Sequence, residues 1–372
     1  MTMIFMSIKL VNKVLILLLL VTFQFSLVLA QVDEFVPTPG ELEEMNKAMQ
    51  ADSNLTKFIG WHGDAESLYY NYKKNLHKAD SIWEADQKAI QKMNIGETEK
   101  FEIIPLVDWF TASDSLIGEN GVSYLIRTDE TTILFDLGLN AKAKHPSPLL
   151  HNMSKLGISM DDIDLIVLSH NHPDHVGGPK WARSNSFSID GNQVDLNNMP
   201  VYTATEMTYP NLKPKHTPKP IKISKGVATI GVIHNPIFLN EIAEQALAIN
   251  VKDKGIVVIS GCGHQSIKKI LERSDILFSE PLYGLIGGFH FPMEENRNIS
   301  WIYKYFVVDK LPWQRLTEDD IYYNINLLKS KGVKLVGISG HDSCDKSIGL
   351  FKKEFGKKYI DLVVGKNITL ND

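Results

Sequence analysis

Cysteine is almost absent from this chain of 372 residues, which carries only Cys262 and Cys344. A scaffold held by several disulfides is therefore excluded, and a single Cys262–Cys344 bridge is the most that an oxidising compartment allows. An excess of positive charge is also lacking, with 39 Lys and Arg against 44 Asp and Glu and a formal charge of −5. Nucleic acid needs a basic face opposite its phosphates, so no nucleic-acid partner is expected. Beyond residue 30 there is no apolar run of membrane-spanning length, which excludes a polytopic membrane protein. No internal repeat is evident, and a solenoid is set aside. The length suits one large domain with a small appendage.

The first thirty residues read as a signal peptide. Lys9 and Lys13 form a short basic region, Val14 to Ala30 an apolar core, and Val28-Leu29-Ala30 before Gln31 a small-residue cleavage site. Cleavage predicts a secreted or periplasmic protein with no stable membrane partner; the alternative is an anchor formed by residues 14–30. Residues 31–100 read as an N-terminal helical extension. Tyr69, Tyr72, Leu76, Ala79, Trp83, Ile90 and Met93 keep a three-four spacing interrupted by Asp86, with Asp64 to cap the start and Gly96 the end.

From Phe101 the texture changes to short strands: 101–107, 122–128 and 131–135, the last two joined by the hairpin-like Asp129-Glu130. Asp136-Leu137-Gly138 stops the third. A helix over 146–156 ends at Gly157, and Ile163–Leu168 is a buried strand. Residues 183–220 are rich in Asn, Asp, Pro and Lys and read as an inserted surface segment. Strands follow at 227–233, 246–251 and 255–259. Gly261-Cys262-Gly263-His264 opens a helix, Leu285-Ile286 leads into Gly287-Gly288-Phe289-His290, 317–330 is a helix, 333–338 a strand, and Gly340-His341-Asp342 opens a last helix to Phe355. Two sheets with helices outside both is the simplest α/β arrangement.

The densest chemistry is His170-Asn171-His172-Pro173-Asp174-His175, four metal-capable side chains in six residues directly after a buried strand. Imidazole nitrogen and carboxylate oxygen are the donors that a divalent first-row ion takes. His170 and His172, two apart, point to one side of an extended backbone and can share an ion. Asp174 and His175 project differently and suit a second. His264 and His341, each at a strand end beside glycine, are the candidates for the remaining ligands. Asp136 is placed to orient a ligand imidazole, and His290 ends an apolar strand near the same place. Cys262 and Cys344 lie beside these histidines, so a thiol near the centre competes with the disulfide reading. The other histidines have no partner motif. Specificity is expected from 183–220 and from 291–316, where Trp301, Tyr303, Tyr305, Phe306 and Trp313 are available to wall a pocket.

On these residues the chain resembles the metallo-β-lactamase superfamily over 101–372, and within it the dihydropterin–aminobenzene phosphate synthase-like proteins. The resemblance rests on Glu119-Asn120-Gly121-Val122-Ser123-Tyr124-Leu125-Ile126, on Ile133-Leu134-Phe135-Asp136-Leu137-Gly138, on the histidine loop, on Ser260-Gly261-Cys262-Gly263-His264 and on the intact Gly287-Gly288-Phe289-His290. The chain departs from the subgroup at Gly263, where a serine is usual, and at Asp342-Ser343, where Cys-Thr is usual. The resemblance implies a four-layer αββα sandwich. It also implies His170, His172 and His264 on one ion, Asp174, His175 and His341 on the other, and Cys262 near the position of the superfamily's bridging aspartate. The cofactors expected are two divalent ions, zinc first, with Mn2+ or Fe2+ as alternatives. Such a pair holds a hydroxide at neutral pH, with Asp174 orienting it as well as ligating. The implied function is an exported metallo-hydrolase attacking an ester or phosphoester-type small molecule; the alternative is a pterin-pathway transferase using the same ions.

Overall fold

The computed structural model describes residues 35–238 and 240–370, so the expected signal segment 1–30 and the alternative anchor 14–30 lie outside the described residues. No described helix is long and apolar enough to cross a membrane. The chain divides into two compact units, one holding residues 35–74 with Leu311–Trp313, the other Asn75–Lys310 and Gln314 onward. In the first, helix α1 (Pro39–Ala51) starts with a reciprocal cap between Thr38 and Glu41. Asp52 caps α2 (Ser53–Trp61), the Tyr69 hydroxyl donates to Glu41 at 2.9 Å, and Trp313 stacks on Tyr69 at 5.8 Å.

Helix α3 (Ala65–Ala89) begins as expected, with Asp64 accepting from the Ser67 N–H. It ends seven residues short of Gly96. Ile90 and Met93 still pack on the second unit's core, but beyond the end of the helix, where the Met93 N–H donates to Leu277 O. The break in the stripe has a partner: the Asp86 carboxylate is buried against Lys219 and Arg273.

In the second unit the described strands form two sheets. The first runs β13 (Ile368–Thr369), β1 (Glu102–Val107), β2 (Ser123–Arg127), β3 (Thr132–Phe135), β4 (Leu165–Leu168), β5 (Val201–Thr203), β6 (Lys215–His216). The second runs β12 (Leu335–Ile338), β11 (Leu282–Gly287), β10 (Gly255–Ser260), β9 (Asn240–Val251), β8 (Val227–Ile237), β7 (Ile221–Ser224). Side chains alternate faces along a strand, and here both faces are apolar. Tyr124, Ile126, Ile133, Phe135, Leu165 and Val167 meet Leu247, Ile249, Val257 and Ile259 between the sheets. The intervening Leu125, Leu134, Ile166 and Leu168 face outward onto α4 (Pro148–Leu156) and Trp181 of α5 (Pro179–Arg183). Ile256 and Val258 face α6 (Ile267–Leu277), α7 (Glu318–Ser330) and α8 (Asp345–Phe355). Three apolar layers separate four structural ones, which is the αββα sandwich expected.

Two readings need correction. Residues 183–220 are not a surface insertion: they supply β5 and β6 to the first sheet and bury Phe187, Ile189, Leu196 and Val201 in its outer core. Their polar residues serve the turns between those few apolar anchors, as Ser188 does by donating to Asn192 O. Nor do 261–264 and 340–342 open helices. Helices α6 and α8 start at Ile267 and Asp345, and the preceding N–H groups of Cys262, Gly263 and His264 are taken by the Glu244 carboxylate instead.

Candidate metal centre

Strands β3 and β4 run parallel, as do β10, β11 and β12. Their C-terminal ends therefore open at one edge of each sheet, where α/β folds place ligands. Asp136 follows β3, His170 follows β4, Cys262 and His264 follow β10, His290 follows β11 and His341 follows β12. Glycine permits the close approach: a Cβ at Gly261 would stand 2.2 Å from Ser169 Oγ, and one at Gly288 would stand 2.1 Å from Gly261 O and 2.6 Å from His341 Cε1.

The structure brings all the expected donors together. One group comprises His170, His172, Cys262 and His264, a second Asp174, His175, Cys262 and His341, with the donor atoms of each within 4.8 Å of one another. Cys262 is common to both: its Sγ lies 2.9 Å from His175 Nε2, 3.3 Å from His341 Nε2 and 4.0 Å from Asp174 Oδ2. The His264 ring is 5.2 Å from that of His170 and 5.1 Å from that of His172. His290 borders the cluster, its ring 4.8 Å from His264, and joins Cys262 and Asp342 in a third group. Cys344 does not take part; it is a free, buried thiol 3.2 Å from Ser347 Oγ, and Cys262 is free as well.

Two matching relays aim the imidazoles. Ser169 Oγ donates to Asp136 Oδ2 (2.7 Å) and accepts from His170 Nδ1 (2.9 Å). Ser339 Oγ donates to Asp108 Oδ2 (2.7 Å) and accepts from His341 Nδ1 (2.7 Å). Because a hydroxyl has one proton, the serine that donates to the carboxylate must accept from the ring, which leaves the proton on Nδ1 and turns the Nε2 lone pair inward. His175 Nδ1 bonds Asp136 Oδ2 directly at 2.7 Å; burial opposes the charged form of this ring, but Cys262, Asp174 and Asp136 around it outweigh that and hold its proton affinity well above the usual imidazole value.

Burial, reinforced by neighbouring histidines, lowers the proton affinity of His170, His264 and His341 far below the usual imidazole value. Burial opposes the ionised form of Asp174, but the charge and hydrogen bond of His175 outweigh it and hold the carboxyl well below the usual range. Burial pushes the Cys262 thiol up. His170 Nε2 and both ring nitrogens of His264 are buried without a hydrogen-bond partner. Unpaired buried nitrogens are costly, and neutral His170, His264 and His341 beside an ionised carboxylate are in the state in which such groups ligate. The donor set fits divalent metal.

Sequence reasoning missed Asp108, Ser169, Ser339 and Glu244. Asp108 carried the same signal as Asp136, an acid closing an apolar strand. Glu244 is a lone acid, beside Gln245, among the apolar residues of Ile242–Leu247, fully buried and pushed up to about 7 by burial. Trp301, Tyr305 and Trp313 do not line the cavity over the donors, and neither does any residue of 183–220, whereas Tyr303 and Phe306 do. The reason is the strand role of 183–220, which holds it in the first sheet.

Residues 116–187, with the histidine loop at their centre, match the metallo-beta-lactamase superfamily. The chain's relatives include 7,8-dihydropterin-6-methyl-4-(beta-D-ribofuranosyl)-aminobenzene-5'-phosphate synthase of Methanocaldococcus jannaschii, 26% identical over 74% of this chain and 99% of that protein. An uncharacterised protein of the same organism is 27% identical over 53% of this chain and 82% of its own length. Among solved structures, one described as a metal-dependent hydrolase of the beta-lactamase superfamily is 23% identical, with a TM-score of 0.49, over 73% of this chain and all of that one.

Proposed function

We propose that this metallo-beta-lactamase domain is a zinc-dependent hydrolase of a small ester or phosphoester-type molecule. The observation that carries the reading is the pair of four-donor groups sharing Cys262. His170, His172 and His264 would hold one ion and Asp174, His175 and His341 the other, with Cys262 between them. When bound, such ions supply a hydroxide at neutral pH and polarise the substrate oxygen. The protein's part is orientation: Asp136 and Asp108, through their serines, keep the ligand nitrogens aimed, and Glu244 fixes the loop that carries Cys262 and His264. Asp174, ionised and partly exposed at the cavity floor, is placed to accept a hydrogen bond from the attacking water.

Zinc content of the purified protein and hydrolysis of chromogenic phosphodiester and lactone substrates test the reading. Cobalt substitution tests Cys262 separately, since a thiolate ligand produces a charge-transfer band that Cys262→Ser removes. Absence of bound metal and of turnover would refute the proposal. A second reading, a transferase of the pterin type, is favoured by the relative aligned over 99% of its length; coupling of a dihydropterin that bears a leaving group to a phosphorylated aryl amine, with release of that group and no hydrolysis of the amine's phosphate, would select it. We further propose export through residues 1–30, supported by the apolar run before Gln31; N-terminal sequencing of the mature protein checks this.

A further inference from the structure

Beside Asn120 and Leu139, two segments wall the cavity that opens onto the donors. The β8–β9 hairpin contributes Ile237 and Asn240, and the loop after β11 contributes Ile299, Tyr303 and Phe306. The cavity measures about 270 Å3, small beside ligand pockets of roughly 300–1,000 Å3. Its aromatic wall is built in a series: Phe306 stacks on Phe238 at 5.0 Å and 25°, and Tyr303 follows at 6.3 Å from Phe306.

Among the described residues no lysine or arginine lines this space; its two lining acids are Asp174, which the metal reading gives to an ion, and Asp342, whose carboxyl accepts from the His290 N–H and the Ser343 hydroxyl. Two cations of the same loop, Arg297 and Lys304, are engaged elsewhere. Arg297 donates to Gly340 O at 2.7 Å and to Ser343 O at 3.2 Å, and pairs with Asp345. Lys304 pairs with Glu295 at 2.6 Å. An anionic group held away from the donors would thus lose water without gaining a counter-charge. A flat apolar group loses only the water that burial releases to its benefit, and it gains ring contacts with Phe306 and Tyr303.

We propose that this cavity selects substrates whose non-reacting part is small, uncharged and aromatic or otherwise apolar, and that it rejects those carrying a second anion beyond the reacting bond. The proposal rests on the metal-hydrolase reading and narrows it to a substrate class.

The test measures binding rather than turnover. Zinc-loaded full chain is titrated calorimetrically with phenylphosphonate and with para-carboxyphenylphosphonate, which share the metal-seeking head and ring and differ by one carboxylate. Phenylphosphonate is expected to bind at least tenfold tighter. Phe306→Ala weakens it, and Phe306→Lys reverses the order. Tyr303→Lys, at a position 43% exposed where substitution spares the core, provides the same reversal should the Phe306 variants fail to fold. Equal affinities, a preference for the carboxylated ligand, or no binding of either with zinc in place overturns the proposal alone. Failure of the protein to bind zinc overturns the metal reading and this proposal together.

Discussion

Replacement of Ser339 by alanine tests the aiming of the second group of donors. The Ser339 hydroxyl is the single link between His341 Nδ1 and the Asp108 carboxylate, with both bonds at 2.7 Å. Asp108 retains the Tyr124 hydroxyl at 3.0 Å and the N–H groups of Trp109 and Gly340 at 2.7 and 3.1 Å, so the carboxylate stays anchored while the imidazole loses its guide. The ring nitrogen is then buried unpaired, which costs about 1–3 kcal/mol of stability. Loss of such a guide typically lowers metal affinity about 10–100-fold, or roughly 1.4–2.7 kcal/mol. Zinc titration against a competing chelator should therefore show one of two dissociation constants weakened by that factor. The constant belonging to His170, His172 and His264 should hold, because Ser169 and Asp136 serve that side. Asp108→Asn should weaken the same constant, and Ser339→Thr, which restores the hydroxyl, should recover part of it. Two unchanged constants in a folded Ser339→Ala protein would refute the relay.

His170→Ala removes a donor whose Nε2 has no other buried partner; loss of zinc and of any turnover is expected by metal analysis, and full activity would sink the assignment. Glu244→Gln sets an amide against the three N–H groups of the 262–264 loop; chemical denaturation should show a loss of about 1–3 kcal/mol, with weakened zinc binding. Gly288→Ala forces a Cβ to within 2.1 Å of Gly261 O, and the purified protein should hold little zinc while circular dichroism still reports both sheets. Phe135→Ala empties a fully buried position between the sheets; a cost of about 3–5 kcal/mol is expected in urea unfolding.

Much of the site was legible because its donors are local. His170 to His175 sit within six residues, and the turn after a buried strand leaves them little choice but to cluster. The strands β1 to β4 were legible for a similar reason: apolar runs closed by Asp, Gly or a hairpin pair declare their own ends. Residues 183–220 were misread because a few scattered apolar anchors, not an alternating run, tie them to the sheet. The helix starts at 261 and 340 were misread because a remote carboxylate, Glu244, and a remote acid, Asp108, claim the backbone N–H groups that a helix would otherwise have organised.

By itself the sequence determined which side chains can ligate, which strands are buried on both faces, and that glycines flank the donors. These are properties of residue type and short-range spacing, and no folding is needed to read them. Only the tertiary structure decided that Cys262 stands between two donor groups while Cys344 does not, that Asp108 reaches Ser339 across 231 positions of chain to guide His341, and that Ile237, Ile299, Tyr303 and Phe306 wall the cavity with no lysine or arginine among its described lining residues. Those facts depend on which strand ends share an edge, and that is set by the pairing and stacking of whole sheets, an energy summed over the three apolar layers rather than written at any one residue.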